Sequence, residues 1–185
     1  AAALRPLLAT SGFIETKSED FTMEPGFVSL FNGKDLTGWG FRAKKTFKQT
    51  AAFDGKKASD DGRYRAINGR LVVTTPPEGR RVQQLWTTKE FPKDFTLKLE
   101  FRATPNADSG VFIRKPQLQC RDYVLAGPWK DLKNYKPQEW NEIVAVVKGG
   151  VAHCTCNGDV LNAEFKVPAT GPIGLEGDRG QMEIG

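Results

Sequence analysis

The sequence predicts an all-β protein, a jelly-roll sandwich of two antiparallel sheets. Short segments in which apolar and polar residues alternate recur along the 185 residues, and 19 glycines and 11 prolines supply frequent turns. No segment sustains the 3.6-residue period of an amphipathic helix. In the clearest segment, Asp94–Arg102, apolar residues occupy every second position from Phe95 to Phe101. One face of that strand is therefore expected to be buried.

Nine segments are predicted strands, because each is an apolar or alternating run bounded by turn residues. In chain order they are Phe27–Phe31, Arg70–Thr75, Gln83–Thr87, Asp94–Arg102, Gly110–Arg114, Gln117–Val124, Glu139–Lys148, Val151–Asn157 and Gly171–Glu176. The turn pairs between them include Asn32-Gly33, Asn68-Gly69, Pro76-Pro77, Gly149-Gly150, Asn157-Gly158 and Gly171-Pro172. The pairs at 149–150 and 157–158 predict two consecutive hairpins, because a type I′ turn needs positive φ at both central residues.

The length and composition suit one domain, which we expect to span residues 26–185. Residues 1–25 are charged and poor in apolar residues after a short leucine run, and they are interpreted as an N-terminal leader that docks late or stays flexible. The small residues and the leucine run at the start are typical of a signal-peptide remnant, which predicts an exported protein. No apolar run approaches the roughly 18 residues that a membrane span requires.

The charge distribution argues against nucleic-acid binding. The net charge is +5, from 27 basic and 22 acidic residues that are scattered along the chain. Such a mild excess is typical of a soluble surface. Basic residues do cluster between Arg42 and Lys57, in a segment interpreted as a loop. The sequence does not indicate the oligomeric state.

The cysteines and the single histidine limit the chemistry that the chain can perform. Cys120, Cys154 and Cys156 are an odd number, which argues against a complete disulfide framework, so we expect buried free thiols, with a bridge from Cys120 left open. His153 is the only histidine, so Ser-His-Asp and Cys-His catalysis have little support. No cofactor is identified. A divalent metal remains open, although no Asp-rich loop indicates one.

The polar faces of three predicted strands, which we expect to be neighbours in one sheet, carry the most specific signal. Their side chains are rich in Arg, Gln and Tyr, whose planar groups fix hydroxyls in defined directions. These side chains are Glu100, Arg102, Arg114, Gln117, Gln119, Arg121 and Tyr123. Such a face favours a groove that binds a saccharide. An ordinary solvated face is the alternative.

Five segments in order resemble the 3-keto-disaccharide hydrolase domain family. They are Gly26–Trp39, Leu85–Arg102, Ala107–Arg114, Glu139–Leu161 and Gly171–Ile184. The resemblance implies a concanavalin A-like jelly roll that holds carbohydrate on its concave sheet. It also implies action on glycosides oxidised at the 3-position, commonly in an exported bacterial protein.

The chemistry that the resemblance implies needs few acid–base groups. A 3-keto group acidifies the hydrogen at C2, so a base can remove it, the C1 substituent can leave by elimination, and water can then add. Glu100 is the first candidate for the base and Glu176 is the second. Arg102, Arg114 and Arg121 are expected to stabilise enolate charge. Gln117, Gln119 and Tyr123 are expected to orient sugar hydroxyls.

Several alternatives remain open from the sequence. Where many proteins that resemble this chain carry a Tyr-Glu-Val-Gln-like run, this chain has Gln117-Leu118-Gln119, and a neutral amide cannot act as a proton-transfer base. Either Glu100, Asp122 or Glu176 is then the base, or the protein is a non-catalytic carbohydrate-binding module. A structural β-domain and hydrolysis by paired carboxylates are further alternatives. Glu100 with Arg102 could equally form a structural ion pair, and Arg114 could hold a loop.

Overall fold

The computed structural model describes residues 23–73, 83–105, 107–121, 127–179 and 182–184. In these ranges the chain forms thirteen strands and one short 3₁₀ helix, Gly127–Asp131. The strands are β1 Trp39–Arg42, β2 Gln49–Ala52, β3 Tyr64–Ile67, β4 Arg70–Val73, β5 Leu85–Thr87, β6 Phe95–Ala103, β7 Asp108–Ile113, β8 Gln117–Arg121, β9 Asn141–Lys148, β10 Val151–Cys156, β11 Asp159–Lys166, β12 Ile173–Arg179 and β13 Met182–Ile184. Most of the predicted leader, and the predicted site residues Asp122 and Tyr123, lie outside the described residues.

The strands form two antiparallel sheets. The six-stranded sheet has the order β2-β1-β5-β12-β7-β8, and the seven-stranded sheet has the order β11-β10-β9-β6-β13-β4-β3. The predicted fold class, an antiparallel jelly-roll sandwich, is confirmed. Within the described ranges, no helix combines the length and apolar character that crossing a membrane requires.

The core lies between the two sheets and follows the predicted alternation. On β6, Leu97 and Leu99 face inward and pair in register with Ala145 and Ile143 of β9, while the residues between them point outward. The opposite sheet contributes inward-facing Leu175, among others. Burial of these apolar side chains is the main contribution to stability.

The two predicted hairpins are confirmed. Gly149 has a φ of 58° in the β9–β10 turn, and Asn157 and Gly158 have φ values of 48° and 85° in the β10–β11 turn. Both central residues have positive φ only in the second turn, so only that one fits the type I′ pattern.

One predicted strand is wrong, and several strands were not predicted. Residues 27–31 pair with no strand, because the segment leads into a turn in which Asn32 Oδ1 accepts hydrogen bonds from the backbone N–H groups of Lys34 and Asp35. Strand β1 is almost entirely buried, so it has no polar alternation. Strands β2 and β11 are edge strands with mostly exposed side chains, and they lack an apolar face.

All three cysteines are buried free thiols in the core. Cys120 lies on β8 of one sheet, and Cys154 and Cys156 lie on β10 of the other. Burial raises the pKa of Cys154 to about 11 and that of Cys156 to about 12, and it also raises the pKa of Cys120. The thiols are therefore neutral at physiological pH.

Candidate functional site

The structure divides the predicted site residues between two faces. Strand β6, which carries Glu100 and Arg102, belongs to the seven-stranded sheet, whereas Gln117 and Gln119 lie on β8 of the six-stranded sheet. The expectation that these strands are neighbours is wrong. The chain crosses from one sheet to the other between β6 and β7, and β6 pairs with β9 instead of β7. Glu100 therefore cannot share a site with the two glutamines.

The outward face of the six-stranded sheet brings Glu176 and the glutamines together. Glu176 of β12 pairs in register with Gly110 of β7, which pairs with Gln119 of β8. Two residues along the strands, about 7 Å away, a second row contains Trp86, Gly174, Phe112 and Gln117. The intervening residues, such as Leu175, face the core. One face therefore presents a carboxylate beside an aromatic row.

Both oxygens of the Glu176 carboxylate accept a hydrogen bond from a neutral amide. Gln84 Nε2 donates to Oε1 at 2.9 Å, and Gln117 Nε2 donates to Oε2 at 3.0 Å. The carboxylate is half-buried in a central strand of its sheet. Each carboxylate oxygen has a second lone pair, so the group can still accept a proton. The two neutral amides therefore orient the carboxylate as a base, in place of a cation that would form an ion pair with it.

Gly110 allows Gln117 to reach Glu176. Gln117 lies on β8, two strands away from β12, and its side chain crosses over the intervening β7. A Cβ at position 110 would lie 2.2 Å from Gln117 Nε2, which is far closer than van der Waals contact. The hydrogen bond between Gln117 and Glu176 therefore depends on the missing side chain of Gly110.

A second glycine lies beneath the aromatic row. The Trp86 indole covers Gly174, where a Cβ would lie 2.4 Å from Cε3. The Trp86 centroid is 4.9 Å from that of Phe112 and 4.8 Å from that of Phe47, which packs on the indole edge to face. Since Trp86 and Phe112 are almost fully buried, Phe47 forms the more accessible part of this row.

Two buried residues of β3 and its preceding turn hold the backbone around Glu176. The Tyr64 hydroxyl lies within hydrogen-bond distance of two carbonyl oxygens to which it can donate, that of Gln83 at 2.6 Å and that of Leu175 at 3.2 Å. Arg63 Nη1 donates to the carbonyl oxygen of Gly177. Burial raises the pKa of Tyr64, so the phenol stays protonated as a donor. These contacts position the residues next to Gln84 and Glu176 in the chain.

Arg114 holds loops together. Its guanidinium donates to the carbonyl oxygens of Phe91 at 2.6 Å, Lys93 at 2.7 Å, Gly149 at 2.8 Å and Pro168 at 3.1 Å. The side chain is about 1% exposed. This placement differs from the expectation that Arg114 binds substrate, because four backbone carbonyl groups already occupy its donors. The alternative that Arg114 holds loops agrees with these contacts.

Of the two predicted site residues Arg121 and Tyr123, the structure describes the strand position of Arg121 only. Arg121 ends β8 and pairs in register with Asp108. Tyr123 lies outside the described residues. Gln119 is exposed on the same face as Glu176 and is available to a ligand.

The outward face of the seven-stranded sheet holds the other predicted residues. Glu100 is exposed and lies directly opposite Glu142 of β9. Like charges in that position repel each other. The guanidinium of Arg102 lies over the Trp140 ring at 5.1 Å from its centroid, and that of Arg70 lies at 5.3 Å.

A groove of about 300 Å³ borders the Glu176 face at its β8 edge. It lies between the edge strands β8 and β11 of the two sheets. Its lining consists of Gln117, Leu118, Gln119, Trp129, Leu161, Asn162 and Phe165. Among the residues that the structure describes, no group of three or more His, Cys, Asp or Glu side chains is arranged to hold a metal ion.

The family of 3-keto-alpha-glucoside-1,2-lyase-like domains matches residues 26–184, which is nearly the whole chain. The chain belongs to this family. The resemblance seen in the sequence is thereby confirmed. Residues 26–184 are thus a 3-keto-alpha-glucoside-1,2-lyase-like domain.

Solved structures share the fold at low sequence identity. A Parabacteroides distasonis protein provisionally described as a glycosyl hydrolase is 17% identical, with a TM-score of 0.61 over 84% of this chain and 88% of its own. A second such protein from that organism is 18% identical, with a TM-score of 0.49 over 65% of this chain and 85% of its own. A carbohydrate-binding module of Bacillus subtilis is 10% identical, with a TM-score of 0.46 over 80% of this chain and 92% of its own. Among curated proteins, none matches this chain.

Sequence reasoning missed several residues of this candidate site. Gln84 lies two positions before Trp86 in a predicted strand, so the alternation could have placed both on one face. Gly110 and Gly174 carry no signal of their own until the register shows which side chains cross them. Tyr64 lies on a strand that was not predicted, because β3 is short and has no clear alternation.

Proposed function

We propose that the protein cleaves 3-keto-glycosides by elimination, with Glu176 as the base, on the outward face of the six-stranded sheet. The observation that carries this proposal is the Glu176 carboxylate, which is half-buried in a central strand and held by one amide donor on each oxygen. Family membership supports the substrate class. Glu100, the first candidate from the sequence, lies on the other sheet from Gln117 and Gln119.

The proposed reaction proceeds in steps that this arrangement can serve. Glu176 takes the proton from C2, and the electron pair of the C–H bond forms an enolate with the 3-keto group. The enolate then expels the C1 substituent as the C1–O bond breaks, and the proton held by Glu176 is transferred to the leaving oxygen. Water adds to the resulting enone to complete a net hydrolysis.

The two amides and the glycines have distinct roles in this proposal. Gln84 and Gln117 fix the direction of the carboxylate, so that one oxygen meets the C2 hydrogen in a defined pose. Gly110 leaves space beside Glu176 that the side chain of Gln117 fills. The exposed Gln119 amide lies next to this space and can bond sugar hydroxyls.

The test compares Glu176→Gln with Glu100→Gln, which makes the same chemical change on the other sheet. A 3-keto-β-glucoside and its unoxidised parent are assayed for turnover, with and without divalent metal. We expect only the keto substrate to be cleaved, and Glu176→Gln to lose about 10²- to 10⁴-fold in kcat while binding is retained. Full activity of Glu176→Gln would refute the proposal, and loss in Glu100→Gln alone would return the role of base to Glu100.

A second candidate function is a non-catalytic carbohydrate-binding module. The observation that favours it is the Gln117 amide, which stands where the resemblance implies an acid. In that case the wild type and both variants would bind the glucoside in a calorimeter, and none would turn over either substrate.

A further inference from the structure

The Glu176 face ends in a strongly basic rim. We use basic rim for five cations: Arg42 at the end of β1, Lys44, Lys45 and Lys48 in the following loop, and Lys115 after β7. Residues 42–53 contain no acidic residue, and the five cations equal the net charge of +5 of the whole chain. Among the residues that the structure describes, Glu90 pairs with the rim, 3.8 Å from Arg42 Nη1. The four lysines of the rim are exposed.

Phe47 connects the basic rim to the aromatic row. Arg42 Cζ and Lys115 Nζ each lie 5.1 Å from the centroid of the Phe47 ring, which packs against Trp86. Arg42 also donates to the carbonyl oxygens of Phe47 and Thr87, both at 3.3 Å. The guanidinium is thereby held in place, whereas the Lys115 side chain is exposed. The rim therefore combines one cation held by hydrogen bonds with four exposed lysines.

The backbone near the rim is held in an uncommon conformation. Phe47 has a φ of 58° and Lys115 has a φ of 103°, values that residues other than glycine adopt at some energetic cost. The hydrogen bond from Phe47 N to the carbonyl oxygen of Ala43 and the ring contacts of Phe47 hold the loop in this shape. Residues held in such regions are frequent at ligand-binding sites.

The rim lies beside both the Glu176 row and the aromatic row. Trp86 pairs with Gly174 of β12 and with Gly40 of β1, and both pairings are antiparallel. Continued by two residues, this register places Gln84 opposite Glu176 and Arg42 opposite Gln84. Arg42 therefore lies two strands away from Glu176, about 10 Å across the sheet. A ligand with its reacting carbon at Glu176 reaches the rim with a second ring and one substituent.

We infer that the basic rim is a subsite for an anionic group, a carboxylate or a sulfate, on the part of a glycoside that extends from Glu176 over the aromatic row. The inference rests on the proposed function for the position of the reacting carbon. Exposed lysines around a guanidinium that is held in place suit such a group, because each ammonium supplies a full charge and three rotatable donors. A neutral substituent gains nothing from these cations.

The test measures binding of two unoxidised glucosides to the full chain by calorimetry. The probes are phenyl β-glucoside and 4-carboxyphenyl β-glucoside, whose carboxylate lies at the far end of the ring from the glycosidic bond. We expect the carboxylated probe to bind about fivefold more tightly at low salt, the scale of one or two exposed ion pairs. The ratio of the two affinities should decrease as NaCl is added, because salt screens exposed charges.

The variants show whether the rim causes the preference. Replacing Lys44, Lys45, Lys48 and Lys115 by Gln should bring the ratio of affinities close to one. Lys148→Gln, at the end of β9 on the other sheet, removes one exposed lysine elsewhere and should leave the ratio unchanged. Arg42 is left in place because its contacts support the Phe47 loop.

Three results would overturn the inference. They are equal affinity for the two probes, a preference that survives in the fourfold variant, and no detectable binding of the carboxylated probe. Because unoxidised glucosides are used, the ratio does not depend on turnover. A protein that fails to cleave the keto substrate but keeps the salt-sensitive preference would refute the proposed reaction and leave the rim subsite standing.

Discussion

Gly110→Ala is a small change whose effect follows directly from the geometry of the site. The new Cβ would lie 2.2 Å from Nε2 of Gln117 and 2.8 Å from its Cδ, whereas ordinary contact begins at 3.4 Å. Gln117 must therefore move its amide by more than about 1 Å. Its 3.0 Å hydrogen bond to Glu176 Oε2 does not survive such a displacement.

The expected cost falls on catalysis more than on stability. A catalytic group displaced by about 1 Å loses about 10²-fold in rate, so turnover of a 3-keto-β-glucoside should decrease by about that factor. The lost hydrogen bond costs about 0.5–1.5 kcal/mol in the free energy of unfolding. Replacing glycine by alanine in ordinary strand conformation returns about 0.4–1 kcal/mol, so the net change should stay within about 1 kcal/mol.

The assay combines turnover with urea unfolding, and two further variants show the cause. Gly150→Ala is the matched control, because its new Cβ would contact only the carbonyl oxygen of Val167 at 3.4 Å. Gln117→Ala should reproduce the loss in Gly110→Ala, and the double variant should lose little more, since both remove one interaction. Wild-type turnover in Gly110→Ala, or additive losses in the double variant, would refute the reasoning.

Two further predictions concern stability. Arg114→Met leaves the carbonyl groups of Phe91, Lys93, Gly149 and Pro168 without their donor. The free energy of unfolding, measured in urea, should decrease by about 3 kcal/mol or more, against about 1 kcal/mol for Arg102→Met. Equal losses in the two variants would contradict the structural role of Arg114. The pKa of Cys154 is raised to about 11 and that of Cys156 to about 12, from 9.0, so the unfolded chain loses these protons first. The free energy of unfolding should then decrease above pH 9, by about 1.4 kcal/mol per pH unit for each thiol, until the folded pKa is reached. Urea unfolding between pH 8 and 11 should show a flatter profile in the Cys154→Ala, Cys156→Ala double variant, and an unchanged slope would contradict the argument.

The strands that the sequence could predict are those with one face in the core and one in water. Residues of β6 alternate in chemistry because they alternate in environment, and the same holds for β9. Strand β1 is almost entirely buried and β11 is mostly exposed, so neither shows a period of two. Residues 27–31 show that apolar content without a pairing partner does not make a strand.

The candidate site was only partly visible in the sequence. Gln117 and Gln119 were predicted to point outward, Glu176 stands at the end of another predicted strand, and the structure brings all three to one face. Glu100 has the same local pattern, but it lies on the opposite sheet. Whether a side chain points outward depends on the alternation within its own strand. Which residues lie beside it on that face depends on the order of the strands in the sheet, and the local sequence pattern does not determine that order.

By itself, the sequence determined the sandwich, its hairpins, the buried thiols and the family, since these depend on local alternation, turn residues and ordered motifs. Only the tertiary structure showed which carboxylate lies among amide donors and that backbone carbonyl groups occupy the Arg114 guanidinium. It also showed that Gly110 lets Gln117 reach Glu176. The physical reason is that these contacts join strands far apart in the chain. Their geometry is set by sheet register and by close approach of side chains over glycine, and both arise only when the two sheets have formed.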